Sequence, residues 1–313
     1  MTKTRVLLLP LAIVVLATPL SAQRRRADRS GGRAGLHSLV YRGIERHYIV
    51  RAPAGVTRTG AKLPVVLVLH GGGGNAENAE KMTGFTRLVE RERIIVVYPE
   101  GTNGRARLRL ETWNAGHCCG YAMRENVDDV GFIDALLDAL GTRYPVDQNR
   151  LYATGMSNGA MMSHRLGREL QHPLAAIAPV VGAVFGDERP ATRPVSALMI
   201  NGLLDKSVPP QGGTTGGRSE NAWDGTPMLP QPAQASYWAK VNDCASEPRK
   251  ETRGVVVHWR YDCPAGRAVE WYQLGDLGHA WPGGERGSRM GDAPSASMDA
   301  TAVIWDFFKA HPR

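Results

Sequence analysis

Runs of apolar residues alternate along the chain with segments whose apolar positions recur at helical spacing. Leu63-Pro64-Val65-Val66-Leu67-Val68-Leu69 and Ile94-Ile95-Val96-Val97-Tyr98 have no polar face. Such runs belong to strands of a sheet that is covered on both sides. Residues 39–50 are strand-forming, Leu151-Tyr152-Ala153-Thr154 is a short strand, and 175–181 and 195–200 predict two more. Between them, Phe85 to Glu92, then Phe132, Leu136, Leu137 and Leu140, then Met161, Met162 and Leu166 keep helical spacing. A helix over 235–241, strands near 254–261 and 268–274 and a last helix near 300–309 complete the pattern. Strands alternating with helices predict an α/β fold with a mostly parallel central sheet and helices on both faces. Lys206 to Pro230 breaks the alternation: it is rich in Gly, Pro and Thr, lacks periodicity, and reads as an excursion over the sheet.

The N-terminus follows a different logic. Lys3 and Arg5 precede an apolar run from Val6 to Leu20, and Ser21-Ala22 supplies small residues at a cleavage point. This is the layout of a secretory signal over residues 1–22; the run is short for a membrane span, and Arg24-Arg25-Arg26 follows it. Residues 23–36 read as a basic flexible segment and 37–313 as one catalytic domain. The expected localisation is therefore secreted or periplasmic, with no stable membrane anchor. The formal charge of +8 invites a nucleic-acid reading, but much of the excess sits in the signal and in Arg24 to Arg33. No aromatic residues are interleaved there to stack on bases, which argues against a nucleic-acid partner.

Export permits disulfides, and four cysteines allow three full pairings. Cys244 and Cys263 flank a strand-like segment and form the better pair. Cys118 and Cys119 are adjacent; they form either a vicinal ring or, as the favoured reading, two small buried hydrophobes.

Candidate chemistry centres on Gly155-Met156-Ser157-Asn158-Gly159. Two glycines bracketing a serine, with a short strand before and a helix after, match a nucleophile elbow, where the turn is too tight for side chains. Taken alone the five residues are a weak signal, and the context gives them weight. A serine hydroxyl needs a base, and the base needs an orienting carboxylate, following in the order Ser, acid, His. His279 lies in Leu277-Gly278-His279-Ala280-Trp281-Pro282-Gly283-Gly284, a glycine-rich loop after a strand. His258 falls inside a strand-like run, where a packed or surface role fits better; His164 lies on the helix after the elbow, His172 just past its end, and His311 in the tail. Asp205 follows a buried strand, the rim where open α/β sheets gather their sites; Asp187 and Asp224 are rivals without such a strand. Oxyanion donors are expected from the backbone N–H groups of Gly72, in His70-Gly71-Gly72-Gly73-Gly74, and of Asn158. Asp128-Asp129 stands before a helix and reads as capping or structural hydrogen bonding rather than a metal site.

His70-Gly71-Gly72, Trp113-Asn114 with Cys118-Cys119, Asp128 to Phe132, Gly155 to Ala160, Asp205 with Val208-Pro209, and Gly278 to Gly283 occur in this order. Together they resemble the poly(3-hydroxybutyrate) depolymerase and feruloyl esterase family, over nearly all of the chain from about residue 37. The resemblance implies the α/β-hydrolase fold and a secreted serine carboxylic ester hydrolase with no metal or organic cofactor. Its substrate would be a polyester oligomer, a feruloylated or acetylated polysaccharide, or a small ester. It also supports pairing Cys244 with Cys263. Two positions depart from the family pattern: Asn201-Gly202 stands where His-Gly is common before the aspartate, and Gly72 where the loop often carries cysteine. Trp281, two residues from His279, is the first candidate to line the substrate pocket, with Trp113 and Trp223 behind it. A secreted serine peptidase of the same fold and a non-catalytic polyester- or polysaccharide-binding protein are the competing readings.

Overall fold

The computed structural model describes residues 35–104, 110–214 and 222–313. The predicted signal and nearly all of the basic segment lie outside the described residues. Residues 35–313 form one compact unit.

Ten strands make a single sheet: β1 (Leu36–Tyr41), β2 (Ile44–Arg51), β3 (Leu63–Leu69), β4 (Ile95–Pro99), β5 (Val146–Met156), β6 (Ala176–Val180), β7 (Ser196–Gly202), β8 (Arg249–Arg253), β9 (Val256–Arg260) and β10 (Val269–Leu274). Their order is β1-β2-β4-β3-β5-β6-β7-β10-β9-β8. From β4 to β10 across the centre, neighbours pair in parallel. At the edges β1 and β2, and likewise β9 and β8, run antiparallel to their neighbours. The strand-forming stretch at 39–50 is thus a hairpin, turned at Arg42 and Gly43, both with positive φ.

The alternation of side chains along β3 shows why its sequence is uniformly apolar. Val65, Leu67 and Leu69 enter the core on one face, and Val66 and Val68 enter the core on the other. The first face packs on α4 (Asp129–Arg143), α5 (Asn158–Glu169) and α6 (Gln231–Val241) through residues such as Phe132, Leu166 and Trp238. The second packs on α1 (Ala76–Thr83) and α7 (Ala300–Ala310) through Ala79, Ile304 and Phe308. Two short helices, α2 (Val89–Glu92) and α3 (Gly120–Arg124), complete the set.

Three elements escaped the sequence pattern, the short α3 among them. Helix α1 has few large apolar residues, but Asn75 caps it by accepting from the Asn78 N–H at 2.9 Å, and Gly84 ends it in the left-handed region. Strand β8, Arg-Lys-Glu-Thr-Arg, is fully exposed along its length; its charges suit an edge that must not pair with another molecule. Cys244 and Cys263 form a disulfide closing the β8–β9 hairpin. Cys118 and Cys119 are also bonded to each other, which replaces the reduced reading favoured from sequence. The excursion after Lys206 is closed on itself by a bridge pairing Gly213 with Met228, and a bridge pairs its Trp223 with Cys118 outside it. Among the described residues no helix is long and apolar enough to cross a membrane.

Candidate active site

Strand β5 ends at Met156, α5 begins at Asn158, and Ser157 alone makes the turn with φ 58° and ψ −121°. This is a strained backbone for a residue with a Cβ, and such strain persists only where the surroundings dictate it. Here they do. A Cβ at Gly155 would lie 2.7 Å from the carbonyl oxygens of Leu69 and Gly159, and one at Gly159 would strike the Leu69 and His70 carbonyls. The Ser157 N–H donates to Val180 on the neighbouring strand at 3.0 Å, and its carbonyl accepts from Met161 at 3.0 Å.

Asp205 and His279 come together from loops after β7 and β10. Gly202 permits this, because a side chain there would run into the Leu277 backbone. The Leu203 and Leu204 N–H groups donate to Leu274 and Leu277 at 2.9 Å each, so the two loops are stitched to one another. The buried Asp205 carboxylate accepts from the Ser207 and Val208 N–H groups on Oδ1, each at 2.8 Å. Its Oδ2 sits 2.8 Å from His279 Nδ1. A carboxylate held by two backbone donors and facing Nδ1 selects the tautomer that leaves Nε2 able to accept a proton. Asp292, which sequence reading passed over, accepts from the His279 N–H at 2.7 Å and occupies the space a Cβ at Gly278 would need. Only its distance in space from a glycine-rich loop singles it out; no local pattern marks it.

Ser157 and His279 line one cavity of about 460 Å³, walled also by Gly71–Gly74, Met82, Met156 and Asp292. Among the described residues no hydrogen bond joins the Ser157 hydroxyl to His279 directly. The glycine loop is anchored from below. The Gly73 N–H donates to Glu111 at 2.8 Å, and the Glu111 N–H donates to Gly74 at 3.1 Å. His70 is fully buried and neutral: its Nδ1 bonds the Gly71 carbonyl at 2.8 Å, its Nε2 accepts from the Gly101 N–H at 2.9 Å, and burial pulls its pKa down to about 4. Gly72 lies against the Asn158 side chain, 3.6 Å from its own notional Cβ. Asn158 is the first residue of α5, so its N–H has no partner within the helix. Its amide clamps Trp113 from both sides, Oδ1 accepting from the Trp113 N–H at 2.7 Å and Nδ2 donating to its carbonyl at 3.0 Å.

The acidic pair at 128–129 is structural. Asp128 caps α4 by accepting from the Gly131 N–H at 3.0 Å. Asp129 is buried; it accepts from Arg46 at 2.6 Å and from the Asn114 N–H at 2.7 Å, which sets the loop that Asn158 holds. Burial pushes the Asp129 carboxyl up, and Arg46 opposes that push.

The tryptophans need correction. Trp281 is fully buried, its indole N–H donating to Thr301 at 3.0 Å and its ring edge-on to Phe85. Trp113 is equally buried, with its indole N–H on the His70 carbonyl at 3.1 Å. Trp223 packs edge-on to Phe185. None of the three is among the described residues lining the cavity at Ser157. The rival acids also find other work: Asp187 and Asp224 bracket His117, at 2.9 and 2.6 Å. His164 is a core residue bonded to Trp238 and Gln234, with its pKa lowered to about 3 by burial.

A six-stranded parallel centre flanked by helices on both faces, with a strained serine between strand and helix and an Asp–His pair beyond the strand ends, defines an α/β-hydrolase. Residues 47–208 match the family model described as esterase PHB depolymerase, and the chain belongs to that family. It is 29% identical over 249 residues to feruloyl esterase B of Piromyces equi, covering 77% of this chain but 44% of that longer protein. It is 29% identical over 260 residues to the putative esterase NocK of Nocardia uniformis subsp. tsuyamanensis, covering 79% of this chain and 73% of that one. The acetyl xylan esterase structure from Aspergillus awamori superposes with a TM-score of 0.55 at 14% identity, covering 78% of this chain and 94% of that one; that likeness concerns the fold.

Proposed function

We propose that the chain is an exported serine carboxylic ester hydrolase working through an acyl-enzyme. The observation that carries this reading is the 2.8 Å bond from a buried, doubly held Asp205 to His279, on a cavity that also holds the strained Ser157. Ser157 Oγ attacks the ester carbonyl as His279 Nε2 takes its proton. The tetrahedral oxyanion is received by the N–H groups of Gly72 and Asn158, donors of a kind worth about 2.7–4 kcal/mol each. The C–O bond to the alcohol breaks, and His279 returns the proton to the leaving oxygen. Water, deprotonated by the same imidazole, then attacks the acyl-enzyme and releases the acid and free Ser157. Every group in this cycle is protein or water, so it asks for no metal or organic cofactor.

The names of the relatives support feruloyl, acetyl or hydroxyalkanoyl esters as substrate classes, on a polysaccharide, a polyester oligomer or a small alcohol. Residues 1–22 as a signal and the Cys244–Cys263 bridge support export. Ser157→Ala should keep its far-ultraviolet circular dichroism while losing nearly all hydrolysis of p-nitrophenyl acetate. Turnover at the wild-type rate would remove Ser157 from the mechanism. A peptide-substrate arm in the same assay separates the esterase from a peptidase of this fold, and esters should react far faster.

A further inference from the structure

A second cavity, of about 360 Å³, opens at the C-terminal end of α5, between the Asn114–His117 loop and the loop Phe185–Arg189. Three arginines line it, Arg165, Arg168 and Arg189, with three carboxylates, Glu169, Glu188 and Asp187. The carboxylates are already engaged. Glu169 bonds Arg165 at 3.0 Å, Asp187 faces His117 at 2.9 Å, and both oxygens of Glu188 accept backbone N–H groups, from Phe185 and from Gly186. Arg165 has a second acceptor, the Asn114 carbonyl at 2.7 Å.

Arg168 is different. The residue is 8% exposed, its Nε is sealed from solvent with no acceptor, and no hydrogen bond or ion pair within 4 Å reaches its guanidinium among the described residues. Among the described residues the other deeply buried arginine, Arg46, also has an Nε without an acceptor, but its Nη2 has Asp129 at 2.6 Å and the Glu100 carbonyl at 3.0 Å, partners that Arg168 lacks. A guanidinium does not shed its proton in proteins, and a largely buried charge whose Nη groups face a cavity without a hydrogen-bonded counter-ion is unfavourable. Burial here works against the charged form, which nearby Glu188 relieves only at a distance. The residue that would complete this site is therefore an anion from outside the chain.

We propose that the cavity at Arg168 binds the carboxylate group of a ligand, through the planar fork of the guanidinium. The fork matches a carboxylate's two oxygens in a bidentate pair. The cavity is wide enough for a sugar-sized body behind that carboxylate. The three wall carboxylates balance the charges of the three arginines, so the site calls for a singly charged group on the Arg168 fork rather than a dianion. A uronic acid is the ligand of this chemistry, either free or as a unit of an acidic polysaccharide. The site does not depend on Ser157 being a nucleophile.

The test is isothermal titration of the full chain with sodium glucuronate, with glucose and inorganic phosphate as controls and a short oligogalacturonate as the polymer arm. Wild type should bind glucuronate saturably at millimolar or lower concentration, and glucose and phosphate should bind at least about tenfold more weakly. Arg168→Met should lose binding by at least about tenfold, and Arg168→Lys, which keeps charge without the fork, should fall between. Ser157→Ala should bind as wild type does, so that loss of the hydrolase reading and loss of this one are separable. Tighter binding of the oligomer than of glucuronate assigns the polymer as the source; equal affinity assigns the free acid. Undiminished glucuronate binding in Arg168→Met overturns the proposal. So does the absence of saturable binding in wild type, a result that needs no variant to fold, and so does phosphate binding as tightly as glucuronate.

Discussion

The two ends of α5 carry charged or reactive groups in opposite conditions. At the N-terminal end, the chemistry is surrounded by completed bonds: Asp205 has three partners, Asn158 grips Trp113 from both sides, and Asp292 holds the backbone of His279. At the C-terminal end, Arg168 stands largely buried with no hydrogen-bond acceptor among the described residues. A group that must act on every turnover is held in one orientation beforehand, since reorganisation during reaction is costly. A group left unsatisfied in the resting protein marks where something else belongs. The rule that buried polar groups are partnered holds for the groups around Ser157 and fails at Arg168.

Substitutions on the two ends should differ accordingly. The largest effect belongs to Asp205→Ala. Freed from its carboxylate, His279 loses its tautomer and orientation, and kcat on p-nitrophenyl acetate should fall by about 10⁴-fold. A loss below tenfold would break the contrast at its catalytic end. Next is Asp129→Ala, which leaves Arg46 buried with its carboxylate gone. Urea denaturation should show about 3–5 kcal/mol of lost stability, as is usual when one member of a buried pair is removed. Arg168→Met should act in the reverse direction in the absence of ligand. Removing a lone buried charge for an apolar side chain of similar length should leave stability equal or raise it by about 1–4 kcal/mol. A marked destabilisation would mean that Arg168 is internally satisfied after all.

The smallest effect concerns pH. Glu111 underlies the glycine loop, and burial, with Glu100 beside it, raises its carboxyl to about 7. In the window between its ordinary value near 4.5 and about 7, the folded protein holds a proton that the unfolded chain has released. That contribution to stability is present below the window and fades as pH rises through it. Glu111→Gln should flatten this part of the stability profile, measured by urea midpoints from pH 5 to pH 8; an unchanged slope would show that another group is responsible.

Much of this was legible in the chain itself, for identifiable reasons. Gly155 and Gly159 stand where neighbouring carbonyls exclude any Cβ, so the elbow is written in residues that have no substitute. Asp205 follows a fully buried strand, His279 lies in a glycine-rich loop after a partly buried one, and chain order does the rest. The pocket tryptophans were misplaced because an indole's position two residues from a histidine says nothing of its direction. Trp281 turns inward since α7, far away in sequence, offers Thr301 to its N–H. Strand β8 was hidden because an edge strand of charges has no apolar alternation to read. Arg168 was invisible for a deeper reason: its isolation results from two separate segments, the end of α5 and the Phe185–Arg189 loop, whose carboxylates are used elsewhere.

Whether Ser157 is the activated nucleophile can be read by treating the protein with a fluorophosphonate and mapping the modified peptide by mass spectrometry. A single adduct on Ser157 is expected, formed rapidly in wild type, far more slowly in His279→Ala and not at all in Ser157→Ala. An unlabelled Ser157 in folded wild-type protein, or labelling at the same rate without His279, would contradict it.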